Sequence, residues 1–203
     1  LQPRAALDGP AQVLPLRARP EAHPQDGAVE RRVREVRHQL DACAISALEN
    51  ETVPWDRFAE GPVLITPQAT ELASLAGSSP EEVVANSVRV ALKAARQWRV
   101  TVLLKGATAH VATPDGQVWS HPAGRAVRAT SGAGDVLSGI VAGLLARGCK
   151  PEQAAVWGLA LHAEAGEVLA RRIGPVGYLA RELTEQIPEL LRRFAAAELR
   201  PTA

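Results

Sequence analysis

Short apolar runs alternate with longer helical patterns from Asp41 onward, and this alternation is the strongest constraint on the fold. The runs Val63–Thr66 and Thr101–Leu104 are rich in β-branched and aliphatic residues, as buried strands are. Two further β-prone segments, His110–Thr113 and Gln117–Trp119, flank a Pro-Asp-Gly turn and predict a β-hairpin. Strands that alternate with helices in this way predict an α/β domain.

Five helices are predicted around these strands. The sharpest boundary is Ser79-Pro80-Glu81-Glu82, where an N-cap serine precedes a proline at the first helical position and an acidic residue three positions after the cap. We expect that helix to end near Trp98. Its buried face is predicted to hold Val84, Val88, Ala91 and Ala95. The other helices are predicted over residues 69–75 with Gly77 closing the helix, 135–147, 151–172, and 177–193 with an interruption at Pro188.

The opening of the chain differs in composition from the rest, being rich in Pro, Arg and Ala. It lacks a clean strand or helix period, so Leu1–Asp26 is predicted to be extended or poorly ordered, and Ala28–Leu40 is predicted to form a solvated charged helix. We therefore divide the chain into a Pro/Arg-rich N-terminal segment at 1–38, an α/β domain at 39–197 and a C-terminal tail at 198–203.

Composition and charge argue against several classes of protein. Lys and Arg number 23 against 22 Asp and Glu, whereas nucleic-acid-binding proteins usually carry a strong basic surplus. The most apolar stretch, Val136–Ala146, is about half the ~20 residues that a membrane-spanning helix needs. Cys43 and Cys149 are too few for a disulfide framework, and the opening residues lack the apolar core of a signal peptide. We therefore expect a cytoplasmic protein with neither nucleic acid nor membrane as partner.

The strongest chemical signal is the segment Thr130–Gly139, in which Gly132 and Gly134 flank Ala133 just before an apolar helix. Glycines permit close backbone approach, and the free N–H groups of a helix N-terminus carry partial positive charge. Such a turn is suited to a phosphate. Asp135 follows directly and has two interpretations: it stabilises the first helical turn, or it acts as a base or a magnesium neighbour.

This segment resembles the glycine-rich anion-hole motif of the ribokinase-like superfamily, and specifically that of the ADP/ATP-dependent NAD(P)H-hydrate dehydratases. Three further segments resemble motifs of that family in the same order along the chain. Leu40–Leu48 is similar to its Asp-Ala-Asp-Ala-Leu segment, Leu64–Leu72 to its Thr-Pro-His-x-Gly-Glu stretch, and Val102–Ala107 to its Lys-Gly-Ala nucleotide loop. The resemblance spans about 40–191.

The resemblance implies a ribokinase-like three-layer α/β fold with a central, mostly parallel sheet and a β-hairpin, its N-terminal units missing or divergent. It implies a hydro-lyase that repairs hydrated NADH and NADPH (NADHX and NADPHX). ADP or ATP, with Mg²⁺, phosphorylates the hydroxyl group of the hydrate, and elimination of the phosphate regenerates NADH or NADPH. The small-molecule hydrate is the implied partner, and we expect a homo-oligomer.

The resemblance also implies roles for individual residues. Asp135 is the implied catalytic base and contacts the substrate together with Gln68, while Gly132, Ala133 and Gly134 form the anion hole. Glu71 orients magnesium through water or anchors its loop, and no residue is assigned as a direct metal ligand. The AMP part of the nucleotide is assigned to Lys105, Gly106, Ala107, Thr108, Ala109 and Gly134.

Departures from the family pattern keep two other functions open. Gln68 stands where the family has a His, and Cys43 where it has an Asp. The alternatives are a small-molecule kinase of the hydroxymethylpyrimidine or hydroxyethylthiazole kinase type, and an inactive nucleotide-binding descendant. Individual residues have purely structural interpretations as well. Glu71 could be an exposed first-turn residue, Lys105 a strand-end lysine reaching solvent, and His110, His121 and His162 packed or hydrogen-bonded imidazoles.

Overall fold

A computed structural model describes residues 38–41, 44–45, 62–122 and 130–198, with side chains from Gln39 to Phe194 within these ranges. Most of the predicted N-terminal segment, Cys43 and residues 199–203 lie outside the described residues. The described strands and helices are, in chain order, β1 (His38–Leu40), β2 (Val63–Ile65), α1 (Ala69–Ala76), α2 (Pro80–Ala85), α3 (Ser87–Trp98), β3 (Thr101–Leu104), β4 (Thr108–Ala112), β5 (Val118–Pro122), α4 (Ala133–Ala146), α5 (Pro151–Ile173) and α6 (Ala180–Glu198).

The five strands form one mixed sheet in the order β1-β2-β3-β4-β5. β1, β2 and β3 are parallel neighbours, with Gln39 opposite Leu64 and Ile65 opposite Val102. β4 runs antiparallel to both β3 and β5, so four of the five described strands point in the same direction. The arrangement confirms the predicted α/β domain with a mostly parallel sheet and a hairpin.

Helices cover both faces of the sheet, which gives three layers. β2 is buried along its whole length, and its side chains alternate between the two faces. Val63 and Ile65 pack in a cluster with residues of α1, α2 and α3, whereas Leu64 packs in a second cluster with residues of α4, α5 and α6. A strand buried on both faces needs an unbroken apolar run, which is what the sequence contains at these positions.

The helix predicted from Ser79 to Trp98 is two helices in the structure. Ser79 does cap the first helix, because its Oγ accepts a hydrogen bond from the Glu82 N–H at 3.2 Å. The chain then leaves the helical conformation at Asn86, where φ is −126° and ψ is 37°. The prediction of a single helix was therefore wrong, although its start and its end at Trp98 are confirmed.

The break also changes which residues face the core. A new helix begins with its own rotational phase, so a helical period counted across the break fails. Val84 is 67% exposed, against the prediction, and Val83 is buried in its place. Ala91 and Ala95, which lie within α3, are buried as predicted.

Two predictions at the ends of the domain are corrected. The charged helix predicted to reach Leu40 is contradicted at 38–40, where the chain forms β1 because these residues pair with β2 in a parallel ladder. The last helix begins at Ala180 and continues through Pro188 without interruption. Leu183 and Leu190 are both fully buried on either side of the proline, so packing against the core keeps the two halves in one helix despite the lost N–H donor.

The remaining helices agree with prediction to within one or two residues. α1 ends at a left-handed Gly77 with φ 63°, and α5 covers nearly the predicted range. α4 begins at Ala133, two residues before the predicted start at Asp135. None of the described helices is long and apolar enough to cross a membrane.

Candidate functional site

The carboxyl ends of β1, β2 and β3 meet at one edge of the sheet, because the three strands are parallel. Asp41, Thr66 and Lys105 are the first residues after these strands. The backbone ladder continues past the strand ends, with the Thr66 N–H donating to the Leu40 carbonyl at 3.0 Å and the Lys105 N–H to the Pro67 carbonyl at 2.8 Å. This edge is the usual place for a ligand in an open α/β sheet.

A cavity of about 540 Å³ lies beside this edge, within the size range of small-molecule sites. Its walls come from the loops after β2 and β3, from β4 and β5, from the glycine-rich turn and from α5. The lining residues are Gln68, Ala69, Thr70, Lys105, Gly106, Ala109, His121, Thr130, Ser131, Gly132, Ala133, Gly134, Leu137, Leu159, His162 and Ala163.

The glycine-rich turn presents free amide groups at the start of α4. Gly132 has φ 81°, a left-handed conformation that favours glycine. The Ala133 N–H donates to the Thr130 carbonyl, whereas within the described part of the chain the N–H groups of Gly134 and Asp135 have no acceptor. A Cβ placed on Gly134 would meet no atom within 4 Å, so the backbone there is open to a ligand. Unpaired N–H groups at a helix N-terminus form an anion site.

His162 supports the turn from α5. Its Nε2 lies 2.8 Å from the Ala133 carbonyl oxygen. Because a carbonyl can only accept, Nε2 carries the proton and Nδ1 is left as an acceptor. Burial lowers the pKa of His162 from 6.5 to about 4, against the opposing effect of this hydrogen bond, so the ring is neutral at physiological pH. The imidazole therefore lines the cavity without adding charge.

Lys105 is held by an ion pair rather than extending freely into solvent. Its Nζ lies 2.6 Å from Asp41 Oδ1, and the two side chains are only 15% and 14% exposed. Asp41 Oδ2 accepts a second hydrogen bond from the Ser138 hydroxyl group. Burial tends to raise the pKa of Asp41, but hydrogen bonds from Lys105 and Ser138, the Lys105 charge and a hydrogen bond from Thr66 outweigh it and hold the pKa below its usual value.

Glu71 fastens the start of α1. Its Oε2 accepts a hydrogen bond from the Gln68 N–H at 2.6 Å, so this carboxylate anchors the loop that follows β2. The Gln68 side chain is exposed at the cavity, where the sequence predicts substrate contact. Of the two roles considered for Glu71, the loop anchor has a visible bond, and the magnesium role stays a prediction.

The structure brings most, but not all, of the predicted site residues to the cavity. Gln68, Lys105, Gly106, Ala109 and the turn 132–134 line it. Ala107, Thr108, Glu71 and Asp135 do not. Asp135 is exposed on the first turn of α4 and has no hydrogen-bond or ion-pair partner among the described residues. Because a carboxylate in the first turn stabilises a helix through its dipole without a hydrogen bond, both interpretations of Asp135 stay predictions.

Sequence reasoning assigned no role to Asp41, and did not place His162 in the cavity wall. The signal for His162 lies in the spacing of Leu159, His162 and Ala163, which share one helical face and all line the cavity. His110, in contrast, is buried between two hydroxyl groups, with ring nitrogens 3.0 Å from Ser87 Oγ and 2.8 Å from Ser120 Oγ. That environment agrees with its predicted structural role.

Metal ligands do not cluster in the part of the chain that the structure describes: no group of three His, Cys, Asp or Glu residues there could hold an ion. Comparison with known proteins shows which family the chain belongs to. A sequence profile described as NAD(P)H-hydrate dehydratase matches residues 25–189. The chain belongs to this family. Membership confirms the resemblance predicted from the glycine-rich turn and its companion segments.

Individual relatives agree with the family assignment. The chain is 47% identical over 133 residues to the ADP-dependent (S)-NAD(P)H-hydrate dehydratase of Xanthomonas campestris pv. campestris. The matched region covers 66% of this chain and 46% of that protein. The Bacillus subtilis ADP/ATP-dependent NAD(P)H-hydrate dehydratase, co-crystallised with ATP and Mg²⁺, superposes with a TM-score of 0.70 at 31% identity, covering 79% of this chain and 56% of that chain.

A ribokinase-like superfamily protein from Enterococcus faecalis superposes with a TM-score of 0.60 at 26% identity, covering 77% of this chain and 52% of that chain. The ribokinase-like fold predicted from the sequence is thereby confirmed. The chain spans about half the length of these relatives.

Proposed function

We propose that this chain carries the nucleotide site of an enzyme that dehydrates NADHX and NADPHX, with ADP or ATP as the phosphoryl donor. The observation that carries the proposal is the pair of free N–H groups at the start of α4, on residues 134 and 135, beside a cavity that also holds Lys105. Amide dipoles and a fixed ammonium group together suit a polyphosphate.

The residues present fit a nucleotide. A cavity of about 540 Å³ has room for the AMP part. Ala109, Leu137 and Leu159 supply apolar walls against which a base can pack, and the glycine-rich turn and Lys105 supply the donors for phosphate oxygens. Glu71 Oε2 is occupied by the Gln68 N–H, so the carboxylate would reach a hydrated Mg²⁺ through its other oxygen.

When bound, the nucleotide supplies the phosphoryl group that turns the hydroxyl group of the hydrate into a leaving group. Asp135 accepts the proton that this hydroxyl loses as its oxygen attacks the phosphorus. The amide groups of the turn stabilise the charge on the transferred group. Loss of phosphate with a ring proton then restores the double bond, so that ADP and NADHX give AMP, phosphate and NADH.

The test incubates the 203-residue chain with NADHX, ADP and Mg²⁺, and follows the absorbance of the reduced nicotinamide and the release of AMP. We expect both signals to rise together. Asp135→Asn should lower turnover by at least about 100-fold while leaving ADP affinity unchanged, because a general base contributes roughly that factor. Glu152→Gln is the matched control, since Glu152 is an acidic first-turn residue of α5 outside the cavity.

Two outcomes contradict the proposal. A stable phosphorylated product without an absorbance rise would favour the small-molecule kinase. A flat trace with intact ADP binding would favour the inactive nucleotide-binding descendant.

We also propose that residues 39–197 form the folded unit, which β1 and α6 extend by one residue at each end, to His38 and Glu198. A homo-oligomer and a cytoplasmic location remain part of the proposal. Light scattering of the purified chain tests the first, and fractionation of the cells that produce it tests the second.

A further inference from the structure

Asp41 joins three separate elements through one carboxylate. It follows β1, and its Oδ1 accepts from Lys105, which follows β3, at 2.6 Å. Its Oδ2 accepts from Ser138 on α4. A further bond supports this connection, because Gln39 Nε2 donates to the Ser138 carbonyl at 3.2 Å. The carboxylate thus connects the edge of the sheet with the helix that presents the free amide groups.

The position of Ser138 determines what this connection controls. Ser138 lies four residues after Gly134, so the two share one face of α4 about one turn apart. Holding Ser138 therefore holds the first turn of the helix relative to the sheet. Lys105 and Gly134 both line the cavity. Asp41 is hydrogen-bonded to Lys105 directly, and to Ser138, which lies one helical turn after Gly134.

The Lys105 ammonium group keeps donors for a ligand while it is held. An ammonium has three N–H donors, and Asp41 takes one of them. A free lysine side chain samples many rotamers, whereas this one is restrained by a charged hydrogen bond at a site only 15% exposed.

We propose that Asp41 is a positioning residue for the nucleotide: it fixes the Lys105 ammonium group and the N-terminal turn of α4 so that both donate hydrogen bonds to the same phosphate group. This inference rests on the proposed function, since it concerns how the same cavity binds ADP. It assigns to Asp41 no contact with substrate, so its effect must pass through Lys105 and α4.

Two other roles for Asp41 predict different results. If the carboxylate only cancelled the charge of Lys105, its removal would strengthen phosphate binding, because an uncompensated cation would remain. If it only stabilised the fold, its removal would lower stability and leave the ADP affinity of the folded protein unchanged. Positioning predicts weaker binding on removal and rescue by an uncharged group of the same shape.

The experiment measures ADP binding by calorimetry in the full chain and three variants: Asp41→Ala, Asp41→Asn and Lys105→Ala. We expect Asp41→Ala to weaken ADP binding by about tenfold or more, the lower end of the effect seen when a group that orients a metal ligand is removed. Asp41→Asn should stay within about threefold of the unchanged chain, because its amide oxygen can still accept from Lys105. In the Lys105→Ala background, Asp41→Ala should have much less effect, since residues that act through one another are not additive.

A second measurement needs no nucleotide. The rate at which an amine-reactive reagent labels Lys105, read by peptide mass spectrometry, should rise in Asp41→Ala and much less in Asp41→Asn. Glu82→Ala is the matched control, because it removes an exposed ion pair with Arg89 at 3.3 Å. This variant should change neither the ADP affinity nor the labelling rate of Lys105.

The proposal is overturned if Asp41→Asn strengthens ADP binding, which charge cancellation predicts and which can be read even if Asp41→Ala does not fold. It is also overturned if Asp41→Ala binds ADP like the unchanged chain, or if its full effect persists without Lys105. Failure of the proposed function is distinguishable: a flat activity trace with intact ADP binding overturns the function and leaves the role of Asp41 testable, whereas an unchanged chain that does not bind ADP overturns both.

Discussion

Replacing His162 tests whether a neutral imidazole supports the glycine-rich turn. The pKa of His162 is 6.5 when the chain is unfolded and about 4 in the buried site. The unfolded state therefore binds the proton more readily, so stability is fully present above about pH 6.5 and falls as the pH is lowered towards 4. Lowering the pH from about 7.5 to about 5 should therefore lower the free energy of unfolding by about 2 kcal/mol, as calculated from these two pKa values.

The assay is urea unfolding of the unchanged chain, His162→Gln and His162→Ala at these two pH values. Both variants lack the titrating ring, so each should lose about 2 kcal/mol less than the unchanged chain on acidification. His162→Ala should in addition be less stable than His162→Gln at both pH values, because it leaves the Ala133 carbonyl without its side-chain donor.

The two variants separate the effect of titration from the effect of packing. If both keep the full pH dependence of the unchanged chain, the neutral buried imidazole is not its source and the reasoning is refuted. An NMR titration of the His162 ring gives an independent check, since a pKa near 6.5 in the folded chain would also refute the idea that a neutral buried imidazole causes the pH dependence.

Two stability predictions follow from local geometry. Gly158→Ala should destabilise the fold by about 1–3 kcal/mol, because the added Cβ would lie 2.5 Å from Val141 Cγ2. Gly143→Ala should stabilise the fold by up to about 1 kcal/mol, because its added Cβ would meet no atom within 4 Å and alanine favours the helix. Thermal unfolding of both variants checks the sign of each change. Ser79→Ala should cost about 1 kcal/mol because the Glu82 N–H loses its acceptor, and an unchanged melting temperature would contradict the capping role.

Local chemistry made much of the fold predictable. β2 is apolar and buried along its whole length, and in β3 only Thr101 at the start is polar, so the pattern of both runs predicts buried strands. The start of α2 was predictable because Ser79 and Pro80 combine a side-chain acceptor with a fixed φ. The break at Asn86 was not, because neither of its neighbours is a proline or a glycine.

The candidate site was predictable where backbone chemistry leaves a mark in the sequence. Gly132 and Gly134 mark the turn because other residues fit poorly where φ is positive or where a ligand approaches the backbone. Asp41 was missed as a site residue because its role depends on Lys105 and Ser138, which are 64 and 97 residues away along the chain. The segment Leu40–Leu48 marks Asp41 as part of a family motif, but contacts at that separation are set by the sheet and by helix packing, so the motif does not show which residues Asp41 contacts.

The hydrogen bonds from the Thr66 and Lys105 amides to carbonyl groups across the strand ends have a thermodynamic consequence. They make the backbone of Lys105 an extension of the sheet, so much of its motional freedom is already gone once the chain has folded. A lysine on a long unrestrained loop would lose that freedom only on binding its ligand, and the entropy lost at that step would weaken the binding free energy of the ligand. Here the entropy is lost during folding, and the attraction between ammonium and phosphate is available for binding.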